Sequence, residues 1–305
     1  MFNPLKESFR VTEHTKEPIM SNSKYTDHCD YCTQQVMKHD RERMLCMMMS
    51  PQPARAALVS LLAWNLEIAK ISEIASEDMV GLIRFQWWRD AIEEIYAEKT
   101  PRQHAVVLTI AETIRKHQLA QADLMEIIDI READLDRAPF ENLEALDNYA
   151  CVTGGGILKL WVRILGISDH NALEAAEHIG SAWALIGTIR ACHHLAHTGK
   201  IRLPMNVLEA AGIDADRILQ EGFAPEVLEA IEAVAELAEE HIRDARALKR
   251  DVPKAAYPPL YMAIQAEDFL LRLKASAYNP VDRRMAKGRA YRAMRLWWAN
   301  IIKKY

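Results

Sequence analysis

Apolar residues recur along most of the chain at intervals of three and four, the period of an α-helix. Over 55–73 this places Leu58, Leu61, Leu62, Leu66 and Ala69 on one side of a helix. Over 78–98 the stripe is Val80, Ile83, Trp87, Ala91 and Ile95. The same spacing predicts helices over 104–117, 122–134, 143–165, 173–197, 225–249, 257–273 and 282–305. Residues 1–27 are polar and aperiodic and read as a flexible leader. A basic loop, Gly199-Lys-Ile-Arg-Leu-Pro204, interrupts the helical pattern. There is no strand-length alternation of β-branched residues and no internal repeat. The pattern predicts one all-α domain over 28–305, a bundle of about eight to ten helices.

Composition narrows the function classes. The chain has 305 residues, 50% hydrophobic and 27% charged, with only 11 Gly and 12 Pro, which excludes collagen-like and low-complexity proteins. A net charge of −5 argues against a general nucleic-acid binder. No apolar run approaches the ~20 residues that span a bilayer. Glu7, Glu13 and Glu17 fit neither a signal peptide nor an Arg-rich transit peptide, and Met20 offers an alternative start. Five cysteines, an odd number, do not read as a disulfide framework and point to a reducing compartment.

Four segments taken in order carry a resemblance. They are Arg55-Ala-Ala-Leu-Val-Ser-Leu-Leu-Ala-Trp-Asn65, Arg84-Phe-Gln-Trp-Trp-Arg-Asp90, Leu146-Asp-Asn-Tyr149 leading to Gly154-Gly-Gly156, and Ile189-Arg190 followed by Lys200-Ile-Arg-Leu-Pro204. Together they resemble the squalene/phytoene synthase family from about residue 30 to 275. The resemblance implies a single isoprenoid-synthase-like bundle around a central cavity. It also implies two facing acidic helical motifs that hold Mg²⁺ against the diphosphates of two prenyl substrates during head-to-head coupling. Mg²⁺ suits that task because it takes carboxylate oxygens and neutralises a departing diphosphate.

The motif positions here depart from that pattern. The first reads Ala69, Lys70 and Glu73, and the second Ala191, His194 and Leu195, so only Glu73 is acidic. Lys70 repels a nearby cation. The runs Trp64-Asn-Leu-Glu-Ile-Ala69, Asp129-Ile-Arg-Glu-Ala-Asp-Leu-Asp136 and His178-Ile-Gly-Ser-Ala182 resemble a divergent branch of the family. That branch contains a mitochondrial complex I assembly factor and its bacterial relatives. The resemblance implies a catalytically degenerate assembly protein, with no cofactor and with a complex I subunit or assembly intermediate as partner. Two alternatives stay open: a prenyl transferase with an altered Mg²⁺ site, and a non-catalytic isoprenoid- or lipid-binding protein. The expected location is the cytoplasm, peripheral on the inner membrane, or the matrix side of that membrane in a eukaryote.

Other residues offer chemistry on their own. Arg190, Lys200 and Arg202 can hold an anion such as a diphosphate or lipid headgroup, or else form a solvated basic loop with an ion pair to Glu73 or Glu67. His193 and His197, at i and i+4, and Cys29-x-x-Cys32 have metal-ligand spacing. Helical-wheel angles keep His193, His194 and His197 from converging on the ancestral cavity, and Cys29 and Cys32 lack a second cysteine pair. The glycines 154–156 read as a place of close helix packing or bending. The last helix, 282–305, is basic and amphipathic. Its Arg289, Arg292, Arg295, Trp297 and Trp298 suit an anionic membrane surface or a protein partner, and Tyr291, Met294, Trp298, Ile301 and Tyr305 define its apolar stripe.

Overall fold

The computed structural model describes residues 22–75, 77–212, 225–286 and 289–305, with side chains left undescribed at 22–26, 225, 286 and 289–292. It is 79% helical. The elements are α1 (Asn22–His39), α2 (Arg41–Met47), α3 (Arg55–Ala69), α4 (Ile71–Ile74), α5 (Asp78–Tyr96), α6 (Ala105–His117), α7 (Gln121–Ile130) and α8 (Leu143–Ala150). A π-helical turn over Cys151–Gly155 joins α8 to α9 (Gly156–Ile164). Then come α10 (His170–His197), α11 (Met205–Ala210), α12 (Pro225–Ala247), α13 (Tyr257–Leu260), α14 (Met262–Ala275) and α15 (Arg289–Ile302). The first helix starts at Asn22, inside the stretch whose polar pattern suggested a leader. Residues 1–21 lie outside the described residues.

Two helices organise the core. Every side chain of α3 from Ala57 to Leu66 is buried, Trp64 completely, and the helix packs on α1, α6 and α9. Burial of each such large apolar side chain stabilises the fold by roughly 1.5–3 kcal/mol. The other organiser is α10, whose 28 residues span about 42 Å. Asp169 caps its start by accepting from the Ala172 amide. Along its length α10 packs on the π turn, α9, α12 and α14.

The contact between α10 and the π turn is backbone against backbone. A Cβ built on Gly154 would lie 2.1 Å from the Gly180 carbonyl oxygen, and one on Gly180 2.2 Å from the Gly154 oxygen. Glycine at both positions is therefore a packing requirement, as the glycine run suggested. π turns often occur where a helix serves a functional site.

Two stripes differ from expectation. In α5 the buried side is Gly81, Phe85, Trp88, Ala91 and Ile92, while Met79, Leu82 and Ile83 face outward. Of the expected stripe Ala91 is buried and Trp87 and Ile95 pack half-buried against the core, while Ile83 is the member that faces outward. In α15 the buried residues are Leu296 and Ala299, and the expected stripe points away from the bundle at Met294, Trp298 and Ile301. Tyr305 does turn inward, with its ring 4.8 Å from that of Tyr257. No described helix is long and apolar enough to cross a membrane.

Candidate functional site

The six ancestral motif positions lie at the end of α3, on α4 and at the end of α10. Ala69, Lys70, Ala191 and Leu195 are half-buried, and Glu73 and His194 are exposed. On α1, His39 is held below its ordinary pKa by desolvation first and then by Lys70 and Lys38, with Glu73 opposing. The residues present offer one carboxylate, one ammonium, one imidazole and three hydrocarbon side chains. That donor set does not fit a Mg²⁺ cluster, which needs several hard oxygen ligands.

The three cations proposed for an anion are already engaged. Arg202, only 6% exposed, donates to the Ala133 carbonyl at 2.7 Å and to Asp134 Oδ1 at 3.1 Å. Its guanidinium lies 4.1 Å from the centre of the Phe140 ring. Lys200 Nζ donates to the Asp134 carbonyl at 2.9 Å. Arg131 pairs with Asp134 Oδ2 at 3.2 Å, and Tyr149 donates its hydroxyl to Oδ1 at 2.7 Å. Burial first, with Asp134 alongside, pushes the Tyr149 phenol above its ordinary pKa. These bonds clamp the 199–204 loop onto 131–134, because a buried guanidinium must be neutralised and hydrogen-bonded. Arg190 pairs with neither Glu67 nor Glu73. It lies 3.5 Å from Glu42 and 5.7 Å from the centre of the Trp183 ring.

The two metal-spaced motifs fare differently. His193 and His197 are exposed and bring their Nε2 atoms to 3.3 Å. His194 is not part of that contact. Cys32 is fully buried 3.5 Å from the Thr109 hydroxyl, and burial pushes its thiol up to about 11. Among the described residues, Cys29 and Cys32 belong to no grouping of three metal-ligating side chains. All five cysteines are thiols.

A polar cluster that spacing did not single out lies where α8, α10 and α12 meet. His241 Nε2 is 2.7 Å from Asp147 Oδ1, and the Nδ1 atoms of His241 and His178 are 2.9 Å apart. Cys151 Sγ lies 3.8 Å from the same Asp147 oxygen and accepts from the Ser181 hydroxyl at 3.3 Å. Half of this was readable in advance. Asp147 and Cys151 are four apart, and His178 and Ser181 three apart, so each pair shares a helix face. His241, 94 residues from Asp147, gave no such signal.

On the outer face, Trp297 and Trp298 are each 58% exposed, beside exposed Met294, Ile301 and Ile302. Trp297, Trp298, Met294 and Ile302 line an apolar cleft of about 480 Å³ with Ile264, Arg295 and Ala299. Arg295 reaches Asp268 at 3.9 Å, and Lys303 and Lys304 are exposed one turn on. The side chains of Arg289, Tyr291 and Arg292 lie outside the described residues.

The sequence profile of squalene/phytoene synthases matches residues 36–292. The chain belongs to the squalene/phytoene synthase family. Its relatives within that family divide by name. Human complex I assembly factor 6 is 33% identical over 249 residues, covering 82% of this chain and 74% of the human protein. Presqualene diphosphate synthase of Rhodopseudomonas palustris is 29% identical over 172 residues, covering 55% of this chain and 60% of that enzyme. The fold also matches that of squalene synthase HpnC from Alicyclobacillus acidocaldarius. The TM-score is 0.73 at 16% identity, over 85% of this chain and 98% of the other. The all-α isoprenoid-synthase architecture expected of this family is thus the one observed.

Proposed function

We propose that this chain is an assembly factor for respiratory complex I, built on a prenyl-synthase scaffold that no longer carries the metal clamp. The observation that carries the reading is the donor set at the six motif positions, where Glu73 is the one remaining acid. A trinuclear Mg²⁺ cluster draws on several carboxylates, and Lys70 adds a positive charge where the cluster would sit. The similarity to proteins named complex I assembly factor 6, over four-fifths of this chain, supports the same reading.

The assembly role is exerted at a membrane surface. α15 supports this by leaving two tryptophans and three aliphatic side chains uncovered next to Lys303 and Lys304. Interfacial aromatic residues beside basic ones are the combination that anionic bilayers retain.

Depletion of the protein in its own host, followed by native electrophoresis of respiratory complexes, tests the assembly role. The expected result is loss of mature complex I with the other complexes intact; normal complex I content overturns it. Incubation of pure protein with farnesyl or geranylgeranyl diphosphate and Mg²⁺ tests the catalytic side. No coupled product is expected. Product that disappears in Glu73→Ala would instead establish a prenyl transferase with a reduced metal site. Flotation with phosphatidylglycerol-containing vesicles tests the surface. Binding is expected to fall at least tenfold in Trp297→Ala/Trp298→Ala, and equal flotation of both proteins removes α15 from the contact.

A further inference from the structure

Among the described residues, Asp147, Cys151 and His241 form the grouping of three side chains whose ligating atoms all lie within 4.8 Å of one another. We propose that these three side chains bind one divalent transition-metal ion of the zinc type, with His178 as the partner that orients His241. The site is separate from the ancestral Mg²⁺ motifs, and its donors are of a different class: thiol, imidazole and one carboxylate.

The geometry suits a tetrahedral centre. Metal bonds of about 2.3 Å to sulfur and about 2.0–2.1 Å to nitrogen and oxygen put neighbouring donors roughly 3.3–3.6 Å apart. The observed separations bracket that range, at 2.7 Å for His241 Nε2 to Asp147 Oδ1 and 3.8 Å for Cys151 Sγ to the same oxygen. Small side-chain rotations convert the hydrogen-bonded arrangement to the ligated one. The donor chemistry selects against Mg²⁺ and Ca²⁺, which prefer all-oxygen shells, and for a borderline-soft cation.

The surroundings are those of a supported site. A metal-bound histidine ordinarily donates its other ring N–H to an acceptor, and His178 Nδ1 is placed for that at 2.9 Å. Without metal, His241 Nε2–H donates to Asp147, and His178 Nδ1–H donates to His241. With metal on Nε2, His241 donates from Nδ1 and His178 carries its proton on Nε2. Both imidazoles change tautomer and stay neutral, and the one proton lost to solvent is that of the Cys151 thiol. Burial holds the Cys151 thiol above its ordinary pKa, with the Ser181 hydroxyl, shared between the sulfur at 3.3 Å and the Glu177 carbonyl at 2.8 Å, opposing that shift. Glu177, whose carboxylate pairs with Lys159 at 3.0 Å, adds negative charge nearby. Cys151 also lines a polar cleft of about 180 Å³ with Asn148 and Glu177, so its side of the cluster is open to solvent. The donors sit on rigid elements, because the Gly154–Gly180 contact holds the π turn against α10.

The test is titration of the full, chelator-treated chain with Co²⁺, whose thiolate complexes absorb in the near ultraviolet. The expected result is one Co²⁺ per chain, with a sulfur-to-cobalt band that Zn²⁺ displaces one for one. Cys151→Ser and Cys151→Ala should abolish the band while the metal-free proteins keep their helical circular dichroism. His241→Gln and Asp147→Asn should weaken Co²⁺ binding at least tenfold. As the positioning residue, His178→Gln should keep the band and weaken binding about tenfold. The exposed His193/His197 pair is excluded as the source when His193→Gln/His197→Gln leaves the band unchanged. Absence of the band in the unaltered chain overturns the proposal. So does its survival in folded Cys151→Ser, or its loss in the His193/His197 double variant. Should the cysteine variants not fold, unchanged binding in Asp147→Asn and His241→Gln overturns it equally.

Discussion

The C-terminal end and the middle of α10 differ in what their residues do. Toward its C-terminus, where this family's second acidic motif belongs, α10 carries half-buried Ala191 and Leu195 and exposed His194. Some two to four turns earlier it carries His178, Gly180 and Ser181, each locked to a neighbour by a bond or by backbone contact. None of Ala191, His194 and Leu195 carries a carboxylate. The middle that holds the scaffold together has kept its steric and polar constraints. On the proposed reading, fold and chemistry are separable along one helix, because packing and the family's metal binding draw on different residues.

The sharpest way to break this contrast is at the helix crossing. Gly180→Ala places a methyl group 2.2 Å from the Gly154 carbonyl oxygen, and the backbones must separate. The expected cost is about 3 kcal/mol, read as a lower urea midpoint. A variant as stable as the parent would show that the crossing is not a constraint at all. A step smaller is Arg202→Met, which removes two hydrogen bonds to the 131–134 segment and leaves Asp134 with Arg131 and Tyr149. Its expected cost is about 2 kcal/mol in the same measurement.

The buried thiols extend the comparison to pH. Burial pushes Cys32 up to about 11, and Cys46 and Cys192 up to about 12, from an ordinary 9.0. As pH rises past about 9 the unfolded chain releases these protons while the folded chain keeps them, so stability falls toward pH 11–12 and is unaffected below 9. Urea midpoints measured from pH 8 to 11 check the sign, and Cys192→Ala should flatten the fall. The smallest effects belong to the ancestral motif. Lys70→Ala and His194→Ala should each change stability by no more than about 0.5 kcal/mol. A loss above about 2 kcal/mol would mean that the motif end had been reused for structure.

The helical framework was readable in the sequence because periodicity is local. The expected helices over 104–117 and 225–249 match the observed Ala105–His117 and Pro225–Ala247 closely. Facing was less readable. α5 has apolar residues on both sides, and only tertiary packing decides that Phe85 enters the core while Ile83 stays outside. At the candidate sites, the loss of acids could be read directly, since it concerns identities at known spacings. The fate of Arg202 could not, because its partner Asp134 lies 68 residues away and a guanidinium reads alike whether it awaits a ligand or closes a loop. The His241 cluster stayed hidden for the same reason.

The outward turn of α15 has an optical consequence. Of the seven tryptophans, Trp64, Trp88, Trp161 and Trp183 are 7% exposed or less, whereas Trp297 and Trp298 are each 58% exposed. A small aqueous quencher therefore reaches mainly one short segment of the chain. The long-wavelength edge of the intrinsic emission belongs to the last helix. It gives that helix a label-free reporter already built into the polypeptide, against a background of four buried indoles and the half-buried Trp87.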